Sequence, residues 1–303
     1  IMAWYKDEDN NGLYELYIGQ DGGVKANPNS YKLFNYYTNV VSMDLNNLDT
    51  SNVTNMGALF QRCEKLLNLD LSGFNTTNVT TMRSMFNNCY DLQNINLSSF
   101  DTSKITTMRA MFQNCSSLLY LDVSNFNTSN VTDMRGMFYA LKVNSIDVSN
   151  FDTSNVTTMS GMFAMCTNLK TLNLSNFNTS KVTTMEGMMN YCESLKEINL
   201  SSFDTSNVTN MYGMFTACKS LEKIDLSNFD TSNVVNIQGM FRFTQILKTI
   251  NINKADFTKV TEYTNMFGES GVTNITVKDA TAKTFIESRL TDASITGVTV
   301  TIG

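Results

Sequence analysis

Phe74–Leu97 reads FNTTNVTTMRSMFNNCYDLQNINL, and 26 residues further on Phe100–Val123 reads FDTSKITTMRAMFQNCSSLLYLDV. Phe203–Leu226, FDTSNVTNMYGMFTACKSLEKIDL, has the same pattern. About nine copies lie between residues 41 and 275, spaced by 26 residues apart from one spacing of 25. A fixed period of this length marks a solenoid, because one such unit cannot bury its apolar side alone and does so by stacking on its neighbours. The 303 residues are therefore read as one array with a cap at each end, against the length prior for two conventional domains.

Within a copy, Leu69-Asp70-Leu71 alternates apolar and polar residues between turn formers and reads as a short strand. Its equivalents are Ile95-Asn96-Leu97, Leu121-Asp122-Val123, Ile146-Asp147-Val148, Leu172-Asn173-Leu174, Ile198-Asn199-Leu200 and Ile224-Asp225-Leu226. Stacked at roughly 4.8 Å per strand, they predict one parallel sheet about 45 Å long. Val79, Met82, Met85, Phe86 and Cys89 fall at i, i+3, i+6, i+7 and i+10, which predicts a short helix with Thr77 and Asn78 as caps. Between Phe138 and Ile146 one residue is missing and Leu141 stands near the cysteine position, which predicts a local irregularity.

The flanks read differently. Residues 1–40 hold Trp4-Tyr5, a polar run from Asp7 to Gly12 and Leu13–Ile18, a hairpin suited to an N-terminal cap, with Leu33-Phe34 as a degenerate Met-Phe pair. Residues 276–303 predict a C-terminal cap. Asp279 would start a helix bearing Ala282, Phe285, Ile286 and Leu290 on one face, followed by a strand through Val298, Val300 and Ile302.

The repeated M-F-x-x-C-x-x-L-x-x-[L/I]-x-L unit resembles the BspA-like bacterial surface leucine-rich repeats. The variant at Asp204–Met211, DTSNVTNM, is similar to repeats of surface proteins from gut Firmicutes, Listeria and mycoplasmas. The resemblance covers residues 41–275 and supplies no catalytic residues. It implies an α/β repeat fold: a right-handed leucine-rich-repeat solenoid with one parallel sheet and short helices, capped at both ends. It also implies a secreted or wall-attached bacterial protein that adheres to host or neighbouring cells.

Composition narrows the function classes. A net charge of −6 and a pI near 4.8 argue against nucleic acid and anionic membrane surfaces as partners. No run of 18 apolar residues is present, so no membrane insertion is expected. The chain opens at Ile1 without a targeting signal and reads as a mature or excised fragment. It contains no histidine, which excludes Ser-His-Asp, Cys-His and His-zinc sites.

Six cysteines, Cys63, Cys89, Cys115, Cys166, Cys192 and Cys218, recur one per copy. Equivalent side chains one strand spacing apart and pointing the same way make poor disulfides, so they read as buried thiols. The methionine columns, such as Met82/Met108 and Met85/Met111, read as core packing, and Phe74, Phe100, Phe126, Phe151, Phe177, Phe203 and Phe229 as a ring spine along one edge. Asp7-x-Asp9-x-Asn11-Gly12 matches half a calcium loop, but Ile18 stands where a bidentate Glu is needed, and a hairpin turn is the reading adopted. The D-T-S-N segments read as turn and helix-cap devices.

No unique carboxylate pair marks a cleft, so the chain is read as a non-enzymatic module without cofactor or metal. Its predicted ligand face is the outward side of the sheet: Asn68, Asp70, Asn94, Asn96, Tyr120, Asp122, Glu197, Asn199, Lys223 and Asp225. Arg83, Arg109 and Arg135 fall at one position of three consecutive copies and form a candidate anion stripe, against the simpler reading of a solvated, Asp-paired face. The expected partner of a monomeric module is an extracellular protein or glycan. The alternative is a spacer that projects another domain and has no ligand.

Overall fold

The computed structural model describes residues 2–7, 9–20 and 22–303. The chain divides into two compact units, Ile1–Phe151 and Asp152–Gly303, and each is a β-solenoid of stacked coils. In the first unit, β1 (Met2–Lys6) pairs antiparallel with β2 (Tyr14–Gly19), from Met2↔Gly19 to Lys6↔Glu15. β2 then pairs in parallel with β4 (Val40–Asp44), while β3 (Val24–Lys25) pairs with β5 (Leu48–Asp49). β6 (Asn68–Asp70) pairs with β7 (Asn94–Asn96) in the 26-residue register, Leu69 opposite Ile95.

The second unit carries a four-stranded parallel sheet. Its strands are β8 (Lys223–Asp225), β9 (Thr249–Ile252), β10 (Asn274–Val277) and β11 (Thr299–Ile302), in sequential order. Helix α1 (Ala280–Asp292) connects β10 to β11. Asp279 caps it by accepting a hydrogen bond from the Ala282 amide at 2.9 Å, and Ala282, Ile286 and Leu290 form its buried side.

Among the described residues α1 is the one helix, so the short helix expected in every copy is absent. Met82, Ser84, Phe86 and Asn88 donate their amides to Thr107, Arg109, Met111 and Gln113 of the next coil at 2.8–3.4 Å. The intervening amides of Met85, Asn87 and Cys89 close back three residues, onto Met82, Ser84 and Phe86. Ser84 and Asn88 take positive φ of 57° and 64°, which a right-handed helix cannot accommodate. The segment is a string of tight turns, in which every second amide bonds to a copy of the same turn. Turns that each close over three residues bury side chains at i, i+3 and i+6, as a helix nearly does, and the spacing alone could not separate the two.

The single long sheet is also replaced by smaller ones. Residues 121–123, 146–148, 172–174 and 198–200 lie outside strands, with one isolated parallel bridge, Asn173↔Asn199. Three-residue segments offer few amides to a ladder, whereas the turn column offers four per coil. Bridges accordingly link Asn55, Thr81, Thr107 and Asp133 in the first unit, and Thr158, Thr184, Asn210, Asn236 and Glu262 in the second.

The core follows the columns. Met82, Met85, Phe86, Cys89 and Leu92 are fully buried, as are Met108, Met111, Phe112 and Cys115 one coil on. The longest ring stack in the first unit runs through the Phe of each Met-Phe pair: Phe34, Phe60, Phe86, Phe112 and Phe138, with centroids 5.3–6.1 Å apart. The Phe74 column is buried too, and stacks at 6.4–6.5 Å through Phe177, Phe203 and Phe229 in the second unit. In the short copy Leu141 fills the cysteine position, fully buried, and the lost residue falls in the turn before Val143.

A second clamp joins coils. Thr76 Oγ1 donates to the Asp101 carbonyl at 2.9 Å and accepts from the Asp101 amide at 2.8 Å. Thr50, Thr102, Thr153, Thr179, Thr205 and Thr231 hold equivalent bonds to the following coil and are almost wholly buried. Each hydroxyl thus satisfies a donor and an acceptor that would otherwise be stranded in the core.

Candidate functional site

Alternation within β6, β7 and β8 turns Asn68, Asp70, Asn94, Asn96, Lys223 and Asp225 to solvent, while Leu69 and Ile224 point into the core. Tyr120, Asp122, Glu197 and Asn199, at equivalent positions outside strands, are exposed as well. The ten residues fall into two columns with different roles.

The column of Asp70, Asn96, Asp122, Asn199 and Asp225 is occupied with structure. Each side chain accepts the amide of the residue two further on, Ser72, Ser98, Ser124, Ser201 or Ser227, at 2.9–3.1 Å. These are Asx turns that bend the chain out of the strand. The hydrogen bonds from Ser72 and Ser124 hold the Asp70 and Asp122 carboxyls below the usual carboxylate range. Asp and Asn serve the turn equally, which explains why they interchange along the column.

The neighbouring column is free to vary. It reads Asn68, Asn94, Tyr120 and Ser145 in the first unit, then Thr171, Glu197, Lys223 and Thr249 in the second. Asn94 Nδ2 donates to Asn68 Oδ1 at 2.7 Å, forming an amide rung. Beside it Leu119 and Tyr120 are 75% and 69% exposed and Leu67 is 37% exposed. Sequence reading placed Tyr120 here and missed Leu119, whose signal is an apolar residue at a position held by Gln93 and Asn144 in the adjacent copies. In the second unit the corresponding surface is a depression of about 490 Å³ lined by Lys170, Thr171, Lys196, Glu197, Glu222 and Lys223.

The arginine column is brought together by the turn ladder. The carbonyls of Arg83, Arg109 and Arg135 accept from Ala58, Ser84 and Ala110 in consecutive coils. The three side chains differ in state. Arg135 is paired with Asp133, Nη2 to Oδ2 at 2.6 Å and Nε to Oδ1 at 3.0 Å. Burial raises the Asp133 carboxyl, and the Arg135 hydrogen bonds outweigh that effect and leave it lowered. Arg109 is pushed below its ordinary value by partial burial first and by its neighbours Arg135 and Arg83 second. Arg83 is exposed. Among the described residues neither Arg83 nor Arg109 has an ion-pair partner, so the cationic part of the stripe is those two.

The remaining sequence candidates have structural places. Asp7 accepts from the amides of Asn11 and Gly12, Asn11 Nδ2 donates to Asp9, and Asn11 Oδ1 accepts from Leu13, so the acidic turn is closed on itself. All six cysteines are buried free thiols. Cys63, Cys89, Cys115 and Cys192 donate Sγ–H to the carbonyls of Phe34, Phe60, Phe86 and Phe163 in the preceding coil at 3.1–3.2 Å. Burial pushes the Cys63 and Cys218 thiols up to about 12, so they are poor nucleophiles and poor metal ligands at neutral pH. No helix is long and apolar enough to cross a membrane among the described residues.

The family described as "Mycoplasma protein of unknown function, DUF285" matches the sequence over residues 29–120, 114–199 and 166–280. No curated protein matches it significantly. Similar solved structures include the plant peptide hormone receptor RGFR1 in complex with RGF2, at 15% identity and a TM-score of 0.32, covering 79% of this chain and 41% of the receptor. The LRR protein LIC12759 of Leptospira interrogans is similar at 12% identity and a TM-score of 0.23, covering 87% of this chain and 78% of that one. The functional domain of InlJ from Listeria monocytogenes, which includes a cysteine ladder, is similar at 14% identity and a TM-score of 0.22, covering 87% of this chain and 55% of that one. The chain therefore spans less than half the length of the receptor chain.

Proposed function

Because the chain belongs to the family described as Mycoplasma protein of unknown function, DUF285, whose description assigns no activity, we propose its role from its own surface. It is a non-enzymatic recognition module of the bacterial cell surface or secreted space, of the BspA-like leucine-rich-repeat kind, that holds an extracellular protein or glycan. One observation carries this reading: two columns of the strand face run side by side, one committed to Asx turns and the other exposed and different in almost every coil. The Asx turns fix one column, which leaves the varied and exposed one as the column whose side chains are available to a ligand.

In the first unit the varied column offers Tyr120 and Leu119 as an apolar platform beside the Asn68–Asn94 amide rung, a combination suited to a sugar ring or a peptide edge. Arg83 and Arg109 offer a separate place for carboxylate or sulfate groups. The second reading, a spacer, draws on the density of cross-coil clamps, which makes each unit stiff without any ligand.

The full chain presented to glycan and matrix-protein arrays, beside Leu119→Ser/Tyr120→Ala, tests the proposal. The variant is expected to lose binding about thirtyfold, as for an exposed aromatic hot spot, with unchanged thermal stability. Absence of any ligand, or equal binding by both proteins, returns the strand face to the spacer reading.

A further inference from the structure

Five surface lysines elsewhere in this fold find partners across a coil at the 26-residue offset. Lys65 reaches Asp91 at 3.0 Å and Lys219 reaches Glu193 at 2.8 Å. Lys104, Lys181 and Lys259 donate to Asn78, Asn155 and Asn233 at 2.6–3.1 Å. The depression on the strand face of the second unit is different. Lys196 and Glu222 are separated by the same offset, as are Glu197 and Lys223, and all four are exposed. Among the described residues, neither these four nor the adjacent Lys170 make an ion pair or a side-chain hydrogen bond.

Their arrangement is ordered. The parallel register of the second unit pairs Lys223 with Thr249 and Asn173 with Asn199, so Thr171, Glu197 and Lys223 stand in one column. Lys170, Lys196 and Glu222 stand in the column beside it, and all six line one depression. Neighbouring rows lie about 4.8 Å apart. Two rows therefore form a checkerboard, Lys196 beside Glu197 and, one coil on, Glu222 beside Lys223.

We propose that this checkerboard is a docking surface for a second copy of the chain. A two-fold axis lying in the plane of the face, parallel to the columns, places each column opposite the other column of the second copy. Lys196 then faces Glu197 of the second copy, Lys223 faces its Glu222, and Lys170 falls over the uncharged Thr171. Every charge in the checkerboard meets its opposite and no like charges meet. The contact is isologous, so it closes at two copies and does not propagate. Charge order of this kind sets register and rejects misaligned partners, and a patch of six side chains makes a weak, reversible dimer. This contact is independent of the recognition surface in the first unit.

Sedimentation velocity on the full chain at low salt, from about 10 μM to about 1 mM, tests it in the range where small interfaces associate. The wild type is expected to dimerise reversibly, with an association constant about tenfold lower at 0.5 M salt. Lys196→Glu/Lys223→Glu makes the checkerboard uniformly acidic, and Glu197→Lys/Glu222→Lys makes it uniformly basic. Each variant alone is expected to be monomeric, with a thermal melt like that of the wild type, and their equimolar mixture to dimerise again. A wild type that stays monomeric throughout overturns the proposal and leaves the face to a different partner. Dimerisation by either variant alone, or a monomeric mixture, places the contact elsewhere and overturns it equally.

Discussion

At the first left-handed position of each coil the first unit carries Lys32, Ala58, Ser84 and Ala110 before Gly136, whereas the second carries Gly161, Gly187, Gly213 and Gly239 before Asn265. The φ values overlap, 53–62° in the first unit and 57–64° in the second, so the turn is the same and its cost differs. An L-residue with a β-carbon pays about 1–2 kcal/mol there and glycine does not. The ring stack differs in the opposite sense. In the first unit five phenylalanines stack without a gap, while in the second Met189 stands where Phe163 and Phe215 stand one coil either side. At this position one unit combines mostly β-carbon-bearing residues with a continuous aromatic stack, and the other mostly glycine with an interrupted one. Each sequence choice is therefore tolerable because of what its neighbours supply along the column.

The sharpest way to break this comparison is through the rings. Phe86 is fully buried and stacked on both sides, at 5.8 and 5.4 Å. Phe86→Ala is expected to cost about 3–5 kcal/mol, while Phe86→Met, which copies the second unit, should cost under about 1.5 kcal/mol. Met189→Ala serves as the reference from the second unit, at about 2–5 kcal/mol. Urea unfolding of the three variants decides the matter. If Phe86→Ala is no worse than Met189→Ala, the stack contributes nothing beyond volume and the contrast between the units dissolves.

The next effect is smaller and tests the turns directly. A β-carbon on Gly187 would meet nothing nearer than Asn190 Cβ at 3.6 Å, so Gly187→Ala meets backbone strain and no clash. It should cost about 1 kcal/mol, and Ala110→Gly, at φ 54°, should gain somewhat less because glycine also loosens the unfolded chain. Thermal melts of both variants measure this. Changes of the same sign in the two units would mean that the left-handed turn is not where they differ.

These positions also show what the sequence could and could not disclose. The 26-residue recurrence of Met82, Phe86 and Cys89 specifies stacking and names the core, because burial repeats with the copy. It does not specify how the backbone travels between those residues. Spacings of three and four suit a helix, yet Ser84, Asn88 and their equivalents hold positive φ, and only the glycines of the later copies hint at it. The threonine clamp is visible as a letter that holds from Thr50 through Thr231, but read alone it looks like a turn former. At the candidate surface, alternation put Asn68 and Asp70 outside. That Asp70 closes a turn on Ser72 while Asn68 does not depends on a hydrogen bond two residues away, which alternation cannot report.

The smallest difference between the units is acid response. Asp49, Asp101 and Asp147 are held below the ordinary carboxylate range chiefly by side-chain hydrogen bonds from Ser51, Ser103 and Ser149. With Asp70, Asp122 and the Arg135-paired Asp133, that makes six lowered carboxyls described in the first unit. Asp152, Asp204 and Asp256 make three in the second. Elsewhere Asn75, Asn173 and Asn178 form the same turn without titrating. A carboxyl whose folded value lies below its unfolded one contributes stability above the unfolded value, and loses it as pH falls through the folded one. The contribution is therefore intact at neutral pH and fades below about pH 4. Most of these groups are exposed, so the expected loss is a few degrees in melting temperature, located mainly in the first unit. Brief pepsin digestion near pH 2.5 followed by peptide mass mapping should cut within residues 22–151 first. Asp101→Asn with Asp122→Asn should delay those cuts while leaving the melting temperature at pH 7 nearly unchanged. First cuts in residues 152–303, or no effect of the two amides, would show that the Asx turns are insensitive to their charge and that the units do not differ in this respect.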